Sequence, residues 1–340
     1  MILDNGSTVP LSVLDLVPIR QGGTAAEAMR NTLELAQHAE RWGYRRYWMA
    51  EHHNIAGIAS SATAVLIGYV AGGTKTIRVG SGGIMLPNHA PLIVAEQFGT
   101  LETLYSGRID LGLGRAPGTD MRTARALRRD LHANGDDFPA LVAELRSYLA
   151  DASAAQPVRA VPGVGTNVPI WILGSSTYGA QLAGSLGLPF SFAAHFQPNY
   201  LESALQAYRT SFRPSEVLAE PYAMVCIPVI AADTDDRARY LASTPFQSFL
   251  NLIRNRPGPL PPPVDDVERL ADPMEQLALD AKLREMIVGG PERVRQGLEW
   301  LLQRTQANEI MVVSTAFEQR DRLRSYEIVS EVGKPLAVSR

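Results

Sequence analysis

The sequence predicts a (β/α)8 barrel, an α/β fold in which eight parallel strands alternate with helices. Short β-like runs are each followed by helical stretches, glycines stand just before several of these runs, and the runs number eight. The predicted strands are residues 11–17, 46–50, 77–80, 109–111, 168–173, 189–192, 222–230 and 309–313.

Glycine marks the end of the helix before four of these strands. These glycines are Gly43, Gly72 with Gly73, Gly107 and Gly187. Glycine adopts the left-handed conformation of a helix C-cap at little steric cost. The first helix has the clearest ends, because Thr24 and Glu27 have the spacing of a capping box and Gly43 ends the helix.

Helical patterns follow most of the strands, and two insertions interrupt the alternation within a single domain over residues 1–340. The predicted helices are 61–71, 91–104, 138–149, 177–186, 200–211, 291–304 and 320–332. The insertion after strand four covers about residues 117–167 and includes a basic, helical-looking stretch at 122–129. The insertion after strand seven covers about 243–288, and its proline-rich part, 255–263, favours an extended segment. We expect this segment to be a substrate lid, with a static surface excursion as the alternative.

A doubly wound open sheet is the alternative fold, and the first turn does not favour it. Such a sheet has a glycine-rich turn after its first strand, whereas this chain has Val17, Pro18, Ile19 and Arg20 there. The Gly112-Leu113-Gly114 stretch is followed by Pro117 where a helix should begin, which excludes a dinucleotide fingerprint.

Composition and charge favour a small-molecule ligand. The net charge of -3 and the absence of a basic block give no reason to expect nucleic acid or a membrane as a partner. Cys226 is the single cysteine and lies in an apolar run, so we expect a core residue and no intrachain disulfide. No basic residue precedes Arg20, and no apolar run reaches the ~20 residues of a membrane span, so we expect a cytoplasmic protein.

Candidate site residues stand where the predicted strands end, because barrel sites lie at that face. Ser175, Ser176 and Thr177 open a helix, and its free N–H groups favour a phosphate. Arg115, at the end of the adjacent strand, can reach the same phosphate. The alternative is an ordinary helix cap with a surface ion pair.

Two histidines follow strand two. Adjacent strand residues point to opposite faces, so His52 and His53 cannot both face inward unless the strand has already ended. We expect one to be functional and the other supporting, although a structural role for either stays open. Histidine moves protons near neutral pH. Together with Glu51 and His195 they could suggest a metal, but the spacing does not match barrel metal sites, and we expect none.

Glycines at 80, 82 and 83 interrupt a β-branched strand, which indicates close approach by a ligand or an unusual peptide conformation.

Several stretches, in order along the chain, resemble the bacterial-luciferase-like flavin-dependent monooxygenases. They are residues 47–53, 78–87, 90–97, 106–115 and 288–294. The resemblance implies a barrel that uses reduced FMN as a co-substrate with O2 to oxygenate a small organic substrate, such as a polyketide or another secondary metabolite. It also implies a separate flavin reductase as a partner.

The resemblance also assigns roles to individual residues. His52 becomes the catalytic base, and Gly82 and Gly83 carry a non-proline cis peptide beside the flavin ring. Light emission is not expected, because Gly174 replaces the glutamate-bearing turn of the luciferase. The residues expected to bind the cofactor are His53, Gly82, Gly83, Met85, Gly114, Arg115, Gly174, Ser175 and Ser176.

Two other functions remain open: a deazaflavin-dependent hydride-transfer oxidoreductase, and a non-catalytic flavin-binding partner subunit. The presence of His52 and Arg115 argues against the non-catalytic subunit.

A homodimer is also expected from the helix at 61–71. This helix is apolar nearly all round, and the apolar outer face of a barrel helix must be buried against another surface. The family's dimers pack through this region, whereas the alternative is that the first insertion covers this helix.

Overall fold

The computed structural model describes residues 8–116, 120–127, 137–152, 156–284 and 286–334, and its strands are joined in parallel pairs. The strands are β1 (Leu11–Asp15), β2 (Arg46–Met49), β3 (Arg78–Met85), β4 (Ile109–Gly114), β5 (Ile170–Gly174), β6 (Phe190–Ala193), β7 (Ala223–Ala231), β8 (Ile287–Gly289) and β9 (Glu309–Val313). The helices are α1 (Ala25–Trp42), α2 (Thr63–Gly72), α3 (Pro91–Leu104), α4 (Met121–Ala126), α5 (Phe138–Leu149), α6 (Thr177–Ser185), α7 (Leu201–Ser211), α8 (Asp235–Ile253), α9 (Pro273–Arg284), α10 (Pro291–Thr305) and α11 (Gln319–Gly333).

The strands close into the predicted barrel. The ring runs β1 to β7 in sequence order and then through β9 back to β1, with every neighbour parallel. Each of the eight predicted runs supplies one strand of this ring, so the (β/α)8 prediction is confirmed. The remaining strand, β8, pairs with the last residues of β7. Its three residues are too few to produce a recognisable pattern.

The helix ends follow local chemistry. The Thr24 side chain accepts a hydrogen bond of 3.2 Å from the Glu27 N–H, and Gly43 has φ of 88°, so both predicted ends of α1 are confirmed. Of the basic stretch predicted at 122–129, α4 covers residues up to Ala126, while positions 128 and 129 lie outside the described residues. Within the described ranges, no helix is long and apolar enough to cross a membrane.

The second insertion contains helices outside its proline-rich part, and that part itself forms no helix. The insertion begins inside α8, which Thr234 caps by accepting from the Arg237 N–H, and it contains α9. Pro245 lies within α8, and this proline obscured the helical pattern in the sequence. The insertion shares an apolar cluster with the end of β7 and the first part of α8, formed by residues that include Ile230, Ala238, Leu241, Phe246, Leu250 and Leu279.

The proline-rich segment of this insertion is anchored to the barrel. The Leu260 N–H donates to the Ile19 carbonyl and the Leu260 carbonyl accepts from the Gln21 N–H, both at 2.8 Å. The Thr244 hydroxyl also donates to the Pro261 carbonyl at 3.1 Å. These bonds tie the segment to the loop after β1 and to α8, which fits a fixed strap better than a free lid.

The interior of the barrel is filled toward the amino ends of the strands. Arg46 is 3% exposed and forms ion pairs of 2.8 Å with both Asp110 and Glu309. Its guanidinium lies 4.7 Å from the centre of the Trp171 ring, and the Trp48 indole N–H donates to Asp110. This layer of charged and aromatic groups closes one end, so the open volume lies toward the carboxyl ends of the strands.

Gly80 belongs to this packed layer, which corrects the expectation that a ligand approaches its backbone. A Cβ at position 80 would stand 2.5 Å from the Asp110 carbonyl oxygen and 2.9 Å from the Trp48 Nε1. Gly80→Ala is therefore expected to lower the free energy of unfolding by about 1–3 kcal/mol through overpacking. Urea denaturation measures this change. Gly258→Ala is the matched control, because a Cβ there meets nothing within 4 Å; equal stability of the two variants would contradict the explanation.

Candidate active site

A cavity of about 180 Å³ opens where the strands of the barrel end. All the predicted site residues except His53 line it: His52, Gly82, Gly83, Met85, Gly114, Arg115, Gly174, Ser175 and Ser176. The chain brings them together because the carboxyl ends of parallel strands meet at one face.

The deeper walls of the cavity are mainly apolar. They include Leu14, Leu173, Cys226 and Met311, while Phe138 of the first insertion adds another side. Cys226 is buried as predicted, and burial raises the pKa of its thiol well above the usual value, so it stays protonated. Within the described part of the second insertion, no residue lines this cavity.

An arginine side chain and the start of a helix lie at one edge of the cavity. The Arg115 guanidinium stands 4.1 Å from the centre of the Tyr178 ring, and Tyr178 belongs to the first turn of α6. Ser176 occupies the N-cap of this helix, but its side chain makes no capping hydrogen bond. A cation, a hydroxyl group and the positive end of a helix thus lie close together, which suits a phosphate.

The wall formed by β3 contains a cis peptide bond between Gly82 and Gly83, as the resemblance implied. The pairing of β3 with β4 shifts register between Ser81 and Ile84, so the strand is irregular at this point. A Cβ on Gly82 would stand 2.7 Å from Leu14 Cδ1. The two glycines therefore let the backbone itself form the cavity wall.

The two adjacent histidines have different surroundings, and both lie beyond the end of β2 at Met49, so the alternation of side chains along a strand does not apply to them. His52 lines the cavity, and its carbonyl accepts a 2.8 Å hydrogen bond from the Ser61 hydroxyl. The His53 Nε2 instead lies 2.8 Å from the Glu51 carboxylate. His53 is not among the residues that line the cavity, and its ring bonds to the buried carboxylate of Glu51.

Some residues around the cavity were not identified as site residues from the sequence. Tyr178 follows the predicted Ser175-Ser176 turn, and Phe196 follows His195, whose ring lies 4.2 Å from that of Phe196. Glu51 also receives a hydrogen bond from His89, whose position in the chain gave no signal. Across the described ranges, no group of three or more His, Cys, Asp or Glu side chains is arranged to hold a metal ion.

Glu51 makes the stability of this region depend on pH. Burial raises the pKa of its carboxyl, but hydrogen bonds from His89, His53 and the Met85 N–H outweigh burial, and the net pKa lies below the usual value. A lowered pKa adds stability that is present above the unfolded-state pKa and is lost as pH falls through the folded value. The free energy of unfolding of the wild type should therefore fall more steeply below about pH 4.5 than that of Glu51→Gln. Denaturation at stepped pH values measures both slopes, and parallel slopes would contradict this assignment.

The family model described as luciferase-like monooxygenase matches residues 9–328. The chain is 52% identical over 330 residues to a luciferase-like monooxygenase of Escherichia coli (strain K12), a match that covers 97% of this chain and 98% of the relative. It is 38% identical over 236 residues to the N-acetyl-S-alkylcysteine monooxygenase of Bacillus subtilis (strain 168), covering 68% and 70% of the two chains. The solved structure of apo-MsnO8 superposes with a TM-score of 0.90 at 35% identity, covering 97% of this chain and 100% of the other.

More distant structures share the barrel alone. The oxygenating constituent of 3,6-diketocamphane monooxygenase from Pseudomonas putida, in complex with FMN, has a TM-score of 0.73 at 19% identity, covering 97% and 98% of the chains. An F420-dependent secondary alcohol dehydrogenase has a TM-score of 0.65 at 15% identity, covering 96% and 99%. The model match and the full-length relatives together show that the chain belongs to the luciferase-like monooxygenase family.

Proposed function

We propose that the chain is an FMN-dependent monooxygenase that receives reduced FMN from a separate reductase and oxygenates a small organic substrate with O2. One observation carries the assignment of a phosphate-bearing flavin: Arg115 and the start of α6, which has no side-chain cap, meet at one edge of a cavity whose deeper walls are mainly apolar. That combination suits a ligand with a phosphate at one end and a flat, weakly polar ring at the other.

The residues present fit such a ligand. Arg115, Ser175 and Ser176 would hold the phosphate, and the Gly82–Gly83 backbone would face the ring, with Met85, Gly114 and Gly174 beside them. The FMN complex of the distant diketocamphane enzyme supports this choice, although that likeness extends only to the fold.

Each group around the cavity then has a chemical task. Bound reduced FMN supplies the electrons that activate O2. His52 accepts and returns a proton at the substrate, which suits an imidazole near neutral pH. The apolar floor around Leu14, Leu173 and Met311 limits the access of water to the reacting groups.

The name of one relative suggests a first substrate to test. The B. subtilis relative is an N-acetyl-S-alkylcysteine monooxygenase, and the apolar walls of this cavity suit an S-alkyl group. We therefore propose organic sulfides as the first compounds to assay, alongside polyketide-like ketones.

The proposal is tested by supplying the cofactor and then oxygen. Reduced FMN is titrated into the protein under nitrogen, O2 is added, and flavin absorbance is followed while mass spectrometry detects oxygen insertion into N-acetyl-S-methylcysteine. Deazaflavin F420 is titrated in parallel. Tight binding of reduced FMN supports the assignment, whereas tight binding of F420 with no FMN binding would establish the hydride-transfer alternative.

A homodimer through α2 is expected from its exposed face. Val65 is 72% exposed and Tyr69 is 43% exposed, although the opposite face of the helix packs into the core. An apolar outer face of this kind favours a symmetric partner. Sedimentation of the wild type at micromolar concentration should give twice the 37.0 kDa chain mass, and Val65→Asp should give the monomer. Val217→Asp, at another exposed valine between α7 and β7, should leave the dimer intact; a wild-type monomer would rule the interface out.

A further inference from the structure

Glu51 is a buried carboxylate to which the proposed reaction assigns no step. It is 1% exposed and precedes His52 directly in the chain. Burial of a carboxylate is costly unless hydrogen bonds replace its water, and well-packed apolar residues often fill such positions at no loss of stability. Stability alone therefore does not explain a carboxylate at this position.

Three segments of the chain donate hydrogen bonds to this one side chain. The His53 Nε2 lies 2.8 Å from Oε1, and the Met85 N–H donates to Oε2 at 3.0 Å. The His89 Nε2 lies 2.9 and 3.0 Å from the two oxygens. The carboxylate thus joins the end of β2, the end of β3 and the turn that leads into α3.

Met85 extends this connection to the cofactor side of the cavity. Its side chain lines the cavity and packs over Gly114, where a Cβ would stand 2.8 Å from the Met85 Sδ. Gly114 precedes Arg115. The Glu51 carboxylate is therefore linked to the proposed base, His52, through the chain itself. It is linked to the wall near the phosphate site through Met85.

We propose that Glu51 is the positioning residue of this site, and that its hydrogen bonds to His53, His89 and the Met85 backbone set the places of His52 and Met85 at the cavity wall. The effect on turnover rests on the proposed function. The effect on the two side chains does not, because it concerns the protein without cofactor.

The test compares the full-length wild type with Glu51→Gln. Glutamine keeps the size of the side chain but offers one acceptor oxygen, so it cannot accept from all three donors. Both proteins are labelled with ¹³C-methyl methionine and ¹³C-ring histidine, and NMR spectra are recorded without cofactor. Met85→Leu and His52→Asn identify the two signals of interest. We expect both signals to move in Glu51→Gln, while the methyl signal of Met274, which is 75% exposed, stays in place.

A second variant and a second readout keep the proposal falsifiable. His89→Ala removes one donor near the surface and should move the same two signals by a smaller amount, even if Glu51→Gln does not fold. In the reduced FMN and O2 assay, Glu51→Gln should turn over about tenfold or more slowly, because small displacements of catalytic groups are costly. Unmoved Met85 and His52 signals in a folded variant would overturn the proposal. Failure of the wild type to bind FMN would instead overturn the proposed function and leave the NMR comparison intact.

Discussion

His52→Ala is expected to slow turnover by about two orders of magnitude, which is the low end of general acid–base effects. His52 lines the cavity beside the apolar floor, so its imidazole is placed to exchange a proton with a bound substrate. The affinity for reduced FMN should change little, since the phosphate anchor lies on other strands. Steady-state kinetics with a fixed supply of reduced FMN, together with an anaerobic titration, separates these two effects.

His53→Ala is the natural comparison, because the two histidines are adjacent but have different surroundings. His53 bonds to Glu51 and is not part of the cavity lining, so its loss should act through the neighbouring carboxylate and cost less turnover. If His53→Ala slowed turnover more than His52→Ala, the assignment of the base would be reversed.

Arg115→Ala should weaken the binding of reduced FMN at least about tenfold. Charge-assisted hydrogen bonds to a phosphate contribute roughly 1.5–3 kcal/mol, and each 1.4 kcal/mol corresponds to a factor of ten in the dissociation constant. Anaerobic fluorescence titration gives the constants directly. The dissociation constant of Arg115→Lys should lie between those of the wild type and Arg115→Ala, because lysine keeps the charge but lacks the planar guanidinium.

A control arginine tests whether the effect belongs to the site. Arg239 lies on α8 with an exposed side chain paired to Asp236, so Arg239→Ala removes the same charge away from the cavity. Its dissociation constant should equal that of the wild type. An unchanged constant in Arg115→Ala would remove Arg115 from the phosphate site.

Local patterns predicted the barrel ring but not the elements that branch from it. Each ring strand is a short β-like run, and Thr24, Glu27 and Gly43 mark the ends of α1 by local chemistry that sequence shows directly. By contrast, β8 has three residues and α8 contains Pro245, so neither produced the pattern on which such predictions depend. The anchoring of the proline-rich segment at Leu260 depends on residues about 240 positions earlier in the chain, which no local pattern shows.

Part of the candidate site could be predicted, because a residue at the end of a barrel strand lies close to the ends of the neighbouring strands. The ends of β2 to β5 had to converge, so His52, Arg115 and Ser176 could be placed together from strand order alone. The direction of the His53 side chain could not be predicted in this way, because its ring bonds to the buried carboxylate of Glu51, which also bonds to His89, 38 residues further along the chain. Gly80 lies in the same glycine-rich stretch as Gly82 and Gly83. It is nevertheless a packing glycine, because Asp110 and Trp48 leave no room for a Cβ there.

The strap at Leu260 also restrains the loop after β1. It joins this loop to the second insertion by hydrogen bonds at both the Leu260 N–H and carbonyl, so the two segments cannot separate without breaking them. Arg115 and Phe196, by contrast, line the cavity and are exposed on the loops after β4 and β6. Under the proposed function, we expect flavin and substrate to enter and leave beside these two residues.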